Sequence, residues 1–210
     1  MNYKINIKHD ILFPTSLWHS RFPEDAKGDL DKQLVDKVLS TLSYPTHTTP
    51  TSGASHTPRN LHEHPELQRL NSFVLMIAEE CLQNMHINHK GLAITGCWGN
   101  VASTGSSHHR HTHPNNYLSA VYYLRTCSGA DSITFHDPRP CTSLIRPPVT
   151  KRMSLNSETV SVKVQDGDLL IFPHWLAHSV PKHVGEDDRI SIAYNLMFAN
   201  YMSDMVKPMW

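Results

Sequence analysis

Between residues 108 and 113 the chain reads HHRHTH, which places imidazoles at His108, His109, His111 and His113. His109, His111 and His113 alternate, so on a strand their side chains share one face. A distant histidine, His178, stands in DGDLLIFPHWLAH, where the chain leaves an apolar run at 169–172, passes Pro173 and enters a short loop. Arg189 follows eleven residues later and opens RISIAYNLMF. In extended backbone Arg189, Ser191, Ala193 and Asn195 fall on one face, and Ile190, Ile192, Tyr194 and Leu196 on the other. An arginine and a serine are an odd choice for a core face. They make sense where that face lines a pocket for an anion, because a guanidinium grips a carboxylate through two parallel hydrogen bonds and a hydroxyl donates alongside. Imidazole ligands suit iron, zinc, copper or nickel.

The same residues have plainer readings. A histidine run binds metals adventitiously. Arg189 could pair with Glu186 or Asp187 at the surface, a pairing that contributes little. His178 could be a satisfied, half-buried histidine. The remaining histidines, His47, His56, His62, His64, His86 and His89 among them, read as loop or surface residues.

The elements that must position this constellation are mostly β. LAITGCWGNV (92–101), YLSAVYYL (117–124), DSITF (131–135), TVSVKV (159–164), LLIF (169–172) and RISIAYNLMF (189–198) are rich in branched and aromatic residues. Turns such as 129–131 and 166–168 separate them, and no helix intervenes, which suggests a sandwich or jelly roll. Tyr122 and Tyr123 are adjacent, so one faces in and one out. Upstream, Ile5, Ile7, Ile11 and Leu12 predict a strand over 3–13. Leu30, Leu34, Val38 and Leu42 predict a helix over 26–44 ended by Pro45, and Leu67, Leu70, Val74, Ile77, Cys81 and Met85 predict a second over 65–86. Residues 45–60, rich in Thr, Pro, Ser and His, predict a loop. The expected fold is α+β and mainly β: one domain over 1–210, with residues 1–90 as strand and helical support and 91–200 as the β core.

Composition narrows the function classes. Lys plus Arg and Asp plus Glu are 19 each in 210 residues, which argues against general binding to nucleic acid or an anionic membrane. Sixteen histidines stand out against that balance. Cysteines 81, 97, 127 and 141 form no CxxC pair and read as small core residues. No signal-peptide pattern or membrane-length apolar run is visible, so the expectation is a cytoplasmic chain with reduced thiols.

Taken in order, ILFPTSLW, CWGNV, HTHPNNYLSAVYYL, SITFHDPRP, DGDLLIFPHWLAHSVP and DRISIAYN resemble the small 2-oxoglutarate/Fe(II)-dependent oxygenases related to prolyl 4-hydroxylase, a subgroup of bacterial and phage sequences mostly without assigned function. The resemblance covers most of the chain. It implies a double-stranded β-helix, cupin-like, flanked by two N-terminal helices. It also implies Fe(II) on His111 and His178, with the far carboxylate of 2-oxoglutarate on Arg189 and Ser191. Trp98 would belong to a core strand, and Tyr123 and Asn195 are further candidates for contact with the co-substrate. Most relatives carry H-x-D or H-x-E, whereas the third position here is His113. His113 is favoured as the third ligand because residues i and i+2 share a face. Asp137 is a lesser candidate, as is His109, with Arg139 a candidate contact for a substrate anion.

Three functions follow. The first is an oxygenase that hydroxylates a small molecule or peptide side chain, an amino acid being one case, and releases succinate and CO2. An exogenous anion such as chloride in the third position would make halogenation conceivable. The second is a three-histidine cupin-type dioxygenase that uses no 2-oxoglutarate. The third is a non-enzymatic metal- or anion-binding module. Arg139, Arg146, Lys151 and Arg152 in 137–158 slightly favour an acidic substrate. A homodimer is compatible with the sequence.

Overall fold

The computed structural model describes residues 7–42, 52–139 and 147–201. Ile5, Pro45, His47, Cys141 and Arg146 lie outside them. In chain order the elements are β1 (Trp18–Arg21), α1 (Glu24–Lys27), α2 (Leu30–Thr41), β2 (Ser52–His56) and α3 (Gln68–Asn84), the last preceded by two short 3-10 turns. The β core follows: β3 (Leu92–His111), β4 (Leu118–Arg125), β5 (Ser132–His136), β6 (Thr159–Lys163), β7 (Asp168–Pro173), β8 (His178–Val180) and β9 (Arg189–Phe198).

Among the described residues every strand pairing is antiparallel. The larger sheet runs β1, β7, β4, β9, β3, with β2 on the far side of β3. The smaller sheet runs from the C-terminal part of β3 through β8 and β5 to β6. β3, at 20 residues, therefore serves both sheets, and its register shifts between His108 and His111. This is the curled, jelly-roll arrangement expected from the strand pattern, with α2 and α3 as the two flanking helices.

Period-two alternation sorts the side chains into two cores. Tyr122, Leu169, Ile171, Ile190, Ile192, Tyr194 and Leu196 face outward and pack with Leu34 and Val38 of α2 and Leu70 and Val74 of α3. Tyr123, Leu170 and Phe172 face inward and meet Ile133 and Phe135 of β5. The helices thus cover one face of the larger sheet, and the site occupies the other.

Four local expectations are corrected. The first strand lies at Trp18–Arg21, where β7 offers a ladder, and not over 3–13; the described residues of that stretch are irregular, with Ile7 and Leu12 86% and 75% exposed. The helix expected over 26–44 starts as two pieces, because Gly28 adopts φ 49°, a left-handed conformation that ends a helix. Part of the expected loop 45–60 is strand β2: its backbone bonds to the edge of β3, and backbone pairing needs no apolar side chains. The strand expected at 92–101 continues to His111.

A close approach locks α2 to the sheet. A Cβ at Gly99 would lie 2.7 and 2.8 Å from the two methyls of Val38. Gly99→Ala should therefore destabilise the protein by about 1–3 kcal/mol through overpacking. In a double-mutant cycle, Val38→Ala should recover part of that loss. Urea denaturation of the four proteins checks both, and additive effects would refute the contact.

Candidate metal centre and co-substrate pocket

Three imidazoles converge where the two sheets meet. One ligand nitrogen from each of His111, His113 and His178 lies within 4.8 Å of the others. His111 and His178 are direct cross-strand partners on β3 and β8. His113 follows the end of β3. It is held by backbone bonds, His113 N–H donating to His174 O (3.0 Å) and His174 N–H to Tyr117 O (3.2 Å).

The rings are oriented from behind. His111 Nδ1 faces His109 O at 2.8 Å, and His178 Nδ1 faces Leu176 O at 3.0 Å. A ring nitrogen facing a carbonyl carries the proton, so Nδ1–H donates in both, and the Nε2 lone pair of each is left for a ligand. His113 Nε2 lies 3.3 Å from His178 Nε2, in the same gap. Apolar rings wall the cluster: Phe172 stands 4.8 Å from the His178 ring and Trp98 stands 5.8 Å from the His113 ring, centre to centre.

This burial has an electrostatic consequence. Desolvation, with His178 and His111 adding repulsion, lowers the His113 pKa to about 3. Desolvation, followed by His111, lowers that of His178 to about 4. His108, which lines the same pocket, falls to about 3 through burial and its neighbours His56 and His111. All three are neutral at pH 7, the state in which imidazole binds a metal.

The pocket continues inward over β3, β9 and β4. Its floor is laid in rungs: Trp98 beside Ala193 and Val121, Asn100 beside Ser191 and Tyr123, and Ala102 beside Arg189. Arg189 is 5% exposed, and its guanidinium lies 5.1 Å from the Tyr123 ring centre. Arg189 Nε and Tyr123 Oη are buried without a hydrogen-bond partner among the described residues. Burial also raises the Tyr123 pKa, so its phenol stays protonated. A buried cation with an unmet donor costs stability unless a ligand completes it. The donor set fits a dianionic co-substrate spanning the pocket from the imidazoles to the guanidinium.

Other expected residues take different places. Asn195 shares the inward face, and its Oδ1 is also without a partner, but it sits beyond Ala193. At about 3.3 Å per residue it is roughly 20 Å along the strand from Arg189, so the two cannot serve one carboxylate. His109 is exposed and contributes its carbonyl to His111. Asp137 lies outside the three-histidine group, and its carboxylate accepts from Arg139 Nε (3.0 Å) and Nη2 (2.7 Å). Cys81 and Cys97 are buried free thiols, and burial pushes Cys81 up to about 12. No helix among the described residues is long and apolar enough to cross a membrane. Sequence reasoning missed Asn100 and His108 as pocket residues and His174 as the backbone support of His113. The parity of β3 held part of the signal, since Trp98, Asn100 and Ala102 alternate with Cys97, Gly99 and Val101.

Fold and site together define a jelly-roll protein in which three convergent imidazoles that could hold a metal share a pocket with a buried guanidinium. A family model described as "Putative 2OG-Fe(II) oxygenase" matches residues 96–195, the span that holds all three histidines and Arg189. Solved structures share the fold. The α-ketoglutarate-dependent epimerase SnoN from nogalamycin biosynthesis is 15% identical over 88% of this chain and 77% of its own, with TM-score 0.64. A Pseudomonas putida prolyl-4-hydroxylase is 13% identical over 88% and 94%, with TM-score 0.60. HygX from Streptomyces hygroscopicus, solved with nickel, 2-oxoglutarate and hygromycin B, is 15% identical over 88% and 84%, with TM-score 0.58. No curated protein matches the sequence. Over residues 96–195 the chain is therefore similar to the 2-oxoglutarate/Fe(II)-dependent oxygenases, and it shares their fold.

The lowered histidine pKa values set a direction for stability against pH. In the unfolded chain these imidazoles bind protons near pH 6.5, whereas in the folded, metal-free protein they do so only near 3 to 4. Between those limits the unfolded state holds more protons, so stability is full above about pH 6.5 and falls as pH drops. Urea midpoints of the metal-free protein should fall from pH 7 to pH 4, and His113→Gln should flatten that slope.

Proposed function

We propose that the chain binds Fe(II) through His111, His113 and His178, and 2-oxoglutarate through Arg189, Ser191 and Tyr123, and that it hydroxylates a small molecule or peptide side chain with release of succinate and CO2. The observation that carries this is one pocket lined at one end by three convergent imidazoles, with burial keeping His113 and His178 neutral, and at the other by a buried guanidinium with an unmet donor. When bound, the iron and 2-oxoglutarate supply the oxidising chemistry, in which dioxygen is split between co-substrate and substrate. The chain's own residues position and exclude. Arg189 and Ser191 fix the co-substrate's far carboxylate, Tyr123 Oη donates beside them, and Phe172 and Trp98 keep water from the imidazoles. HygX, solved with hygromycin B bound, and the prolyl-4-hydroxylase, named for its prolyl substrate, support a small-molecule or peptide substrate.

Arg189→Met should weaken 2-oxoglutarate binding by at least about 100-fold, since a buried charged pair is lost. Metal affinity should change little. Anaerobic mixing with Fe(II) and 2-oxoglutarate, followed by the visible charge-transfer band, measures the first, and zinc titration measures the second. Equal 2-oxoglutarate affinity in the variant would refute the assignment.

A second reading is favoured by the absence of a carboxylate from the three-histidine group: a dioxygenase that oxidises a chelating substrate directly, with Arg189 on that substrate's own carboxylate. Oxygen consumption without succinate would select it.

A further inference from the structure

Arg59 is an exposed cation set over Trp98, a residue that lines the pocket of the three imidazoles, and the chemistry above does not use it. Its guanidinium carbon lies 5.1 Å from the Trp98 ring centre, and Trp98 in turn lies 5.8 Å from the His113 ring. Those two legs bound the separation between the guanidinium and the nearest proposed metal ligand to amino-acid dimensions. The position is set by backbone as well as by stacking. Arg59 O accepts from Cys97 N–H at 2.8 Å, and Asn60 forms a bridge with Cys97, so the turn carrying Arg59 is bonded to β3 one residue before Trp98. Among the described residues its guanidinium meets no carboxylate. A guanidinium held over an indole face by a cation–π contact still has N–H groups to offer, and these can receive a carboxylate through two hydrogen bonds. Two nearby alternatives are weaker: Arg139 already grips Asp137, and His183 is held at both nitrogens, by Gly185 N–H at 3.1 Å and Asp187 O at 2.9 Å.

We infer that Arg59 is the anchor for the primary substrate, and that this substrate is a small molecule bearing a free carboxylate, of amino-acid size. The carboxylate docks on the Arg59 fork, the carbon chain lies along Trp98, and the carbon to be oxidised faces the three imidazoles. The inference rests on the proposed function of the site and deepens it. Arg59 is a specificity residue and touches neither the metal ligands nor Arg189.

The test separates the two levels. The Fe(II)/2-oxoglutarate charge-transfer band is measured first, in wild type and Arg59→Gln. Both should show it equally; its loss in wild type would refute the proposed function of the site, and its loss in the variant alone would overturn the assignment of Arg59 to the substrate. Protein loaded with zinc and 2-oxoglutarate is then titrated calorimetrically with a panel of amino acids and with the amide of each. At least one acid should bind ten or more times tighter than its amide. Arg59→Gln should remove that preference while the amide's affinity stays unchanged. Succinate formation with the Fe(II) enzyme should follow the same order. A panel in which no acid outperforms its amide, or a variant that keeps the preference, overturns the inference. So does preference for a peptide's C-terminal carboxylate over every free amino acid, because the substrate would then be a peptide.

Discussion

Three imidazoles can share so small a space only while neighbouring rings are not protonated on both nitrogens. Two imidazolium ions a few ångströms apart in a site of reduced dielectric repel strongly, and no acid in the group offsets the charge. The surroundings enforce neutrality by withdrawing water. Phe172 and Trp98 stand against the rings, and burial is the leading cause of the lowered pKa at both His113 and His178. The carbonyls of His109 and Leu176 then decide which nitrogen of His111 and His178 remains open. What the fold delivers is therefore three imidazoles converging on one point, two of them, His113 and His178, kept neutral by burial.

The delivery depends on β3. A strand confined to the larger sheet would bring Trp98, Asn100 and Ala102 to the pocket floor but leave the histidine run in solvent. A strand confined to the smaller sheet would separate His111 from Arg189. By running through both, with a register shift before His111, β3 links floor and rim in one covalent path. β9 adds Arg189 and Ser191 to the rungs β3 defines, and β4 adds Tyr123. The helices take the opposite face of the sheet, and Gly99 marks how closely α2 is seated there.

Much of this was legible in residue order, because β-alternation has period two and β9 shows it without interruption. Apolar residues at 190, 192, 194 and 196 leave no choice about which face Arg189 and Ser191 take. The histidine triplet and its distance from Arg189 were likewise readable. What escaped was whatever depends on a partner strand. The stretch around Ile7 to Leu12 has strand-like residues and no ladder, whereas Trp18–Arg21 has β7 beside it. Ser52–His56 has little β propensity and becomes a strand because the edge of β3 is open to it. The hidden parts of the site have the same cause. Arg59 reaches the rim only because its turn bonds to Cys97, 38 positions along the chain, and nothing local in TPRN announces that contact.

On the proposed assignment His113 stands where a carboxylate is found in most H-x-D and H-x-E sites, and that bears on what can approach. A divalent ion on three imidazoles, with dianionic 2-oxoglutarate and the Arg189 guanidinium on its far carboxylate, would carry one net positive charge; a carboxylate in place of His113 would bring that to zero. At about 10 Å and an effective dielectric near 20, one unit of charge changes the approach of a carboxylate by roughly 1–2 kcal/mol, so the histidine would favour it. On the inference drawn for Arg59, that guanidinium would add a second attraction beside Trp98. His113 and Arg59, separated by Trp98, would then favour the same kind of molecule: one whose own negative charge sits close to the metal while a neutral carbon is presented to it.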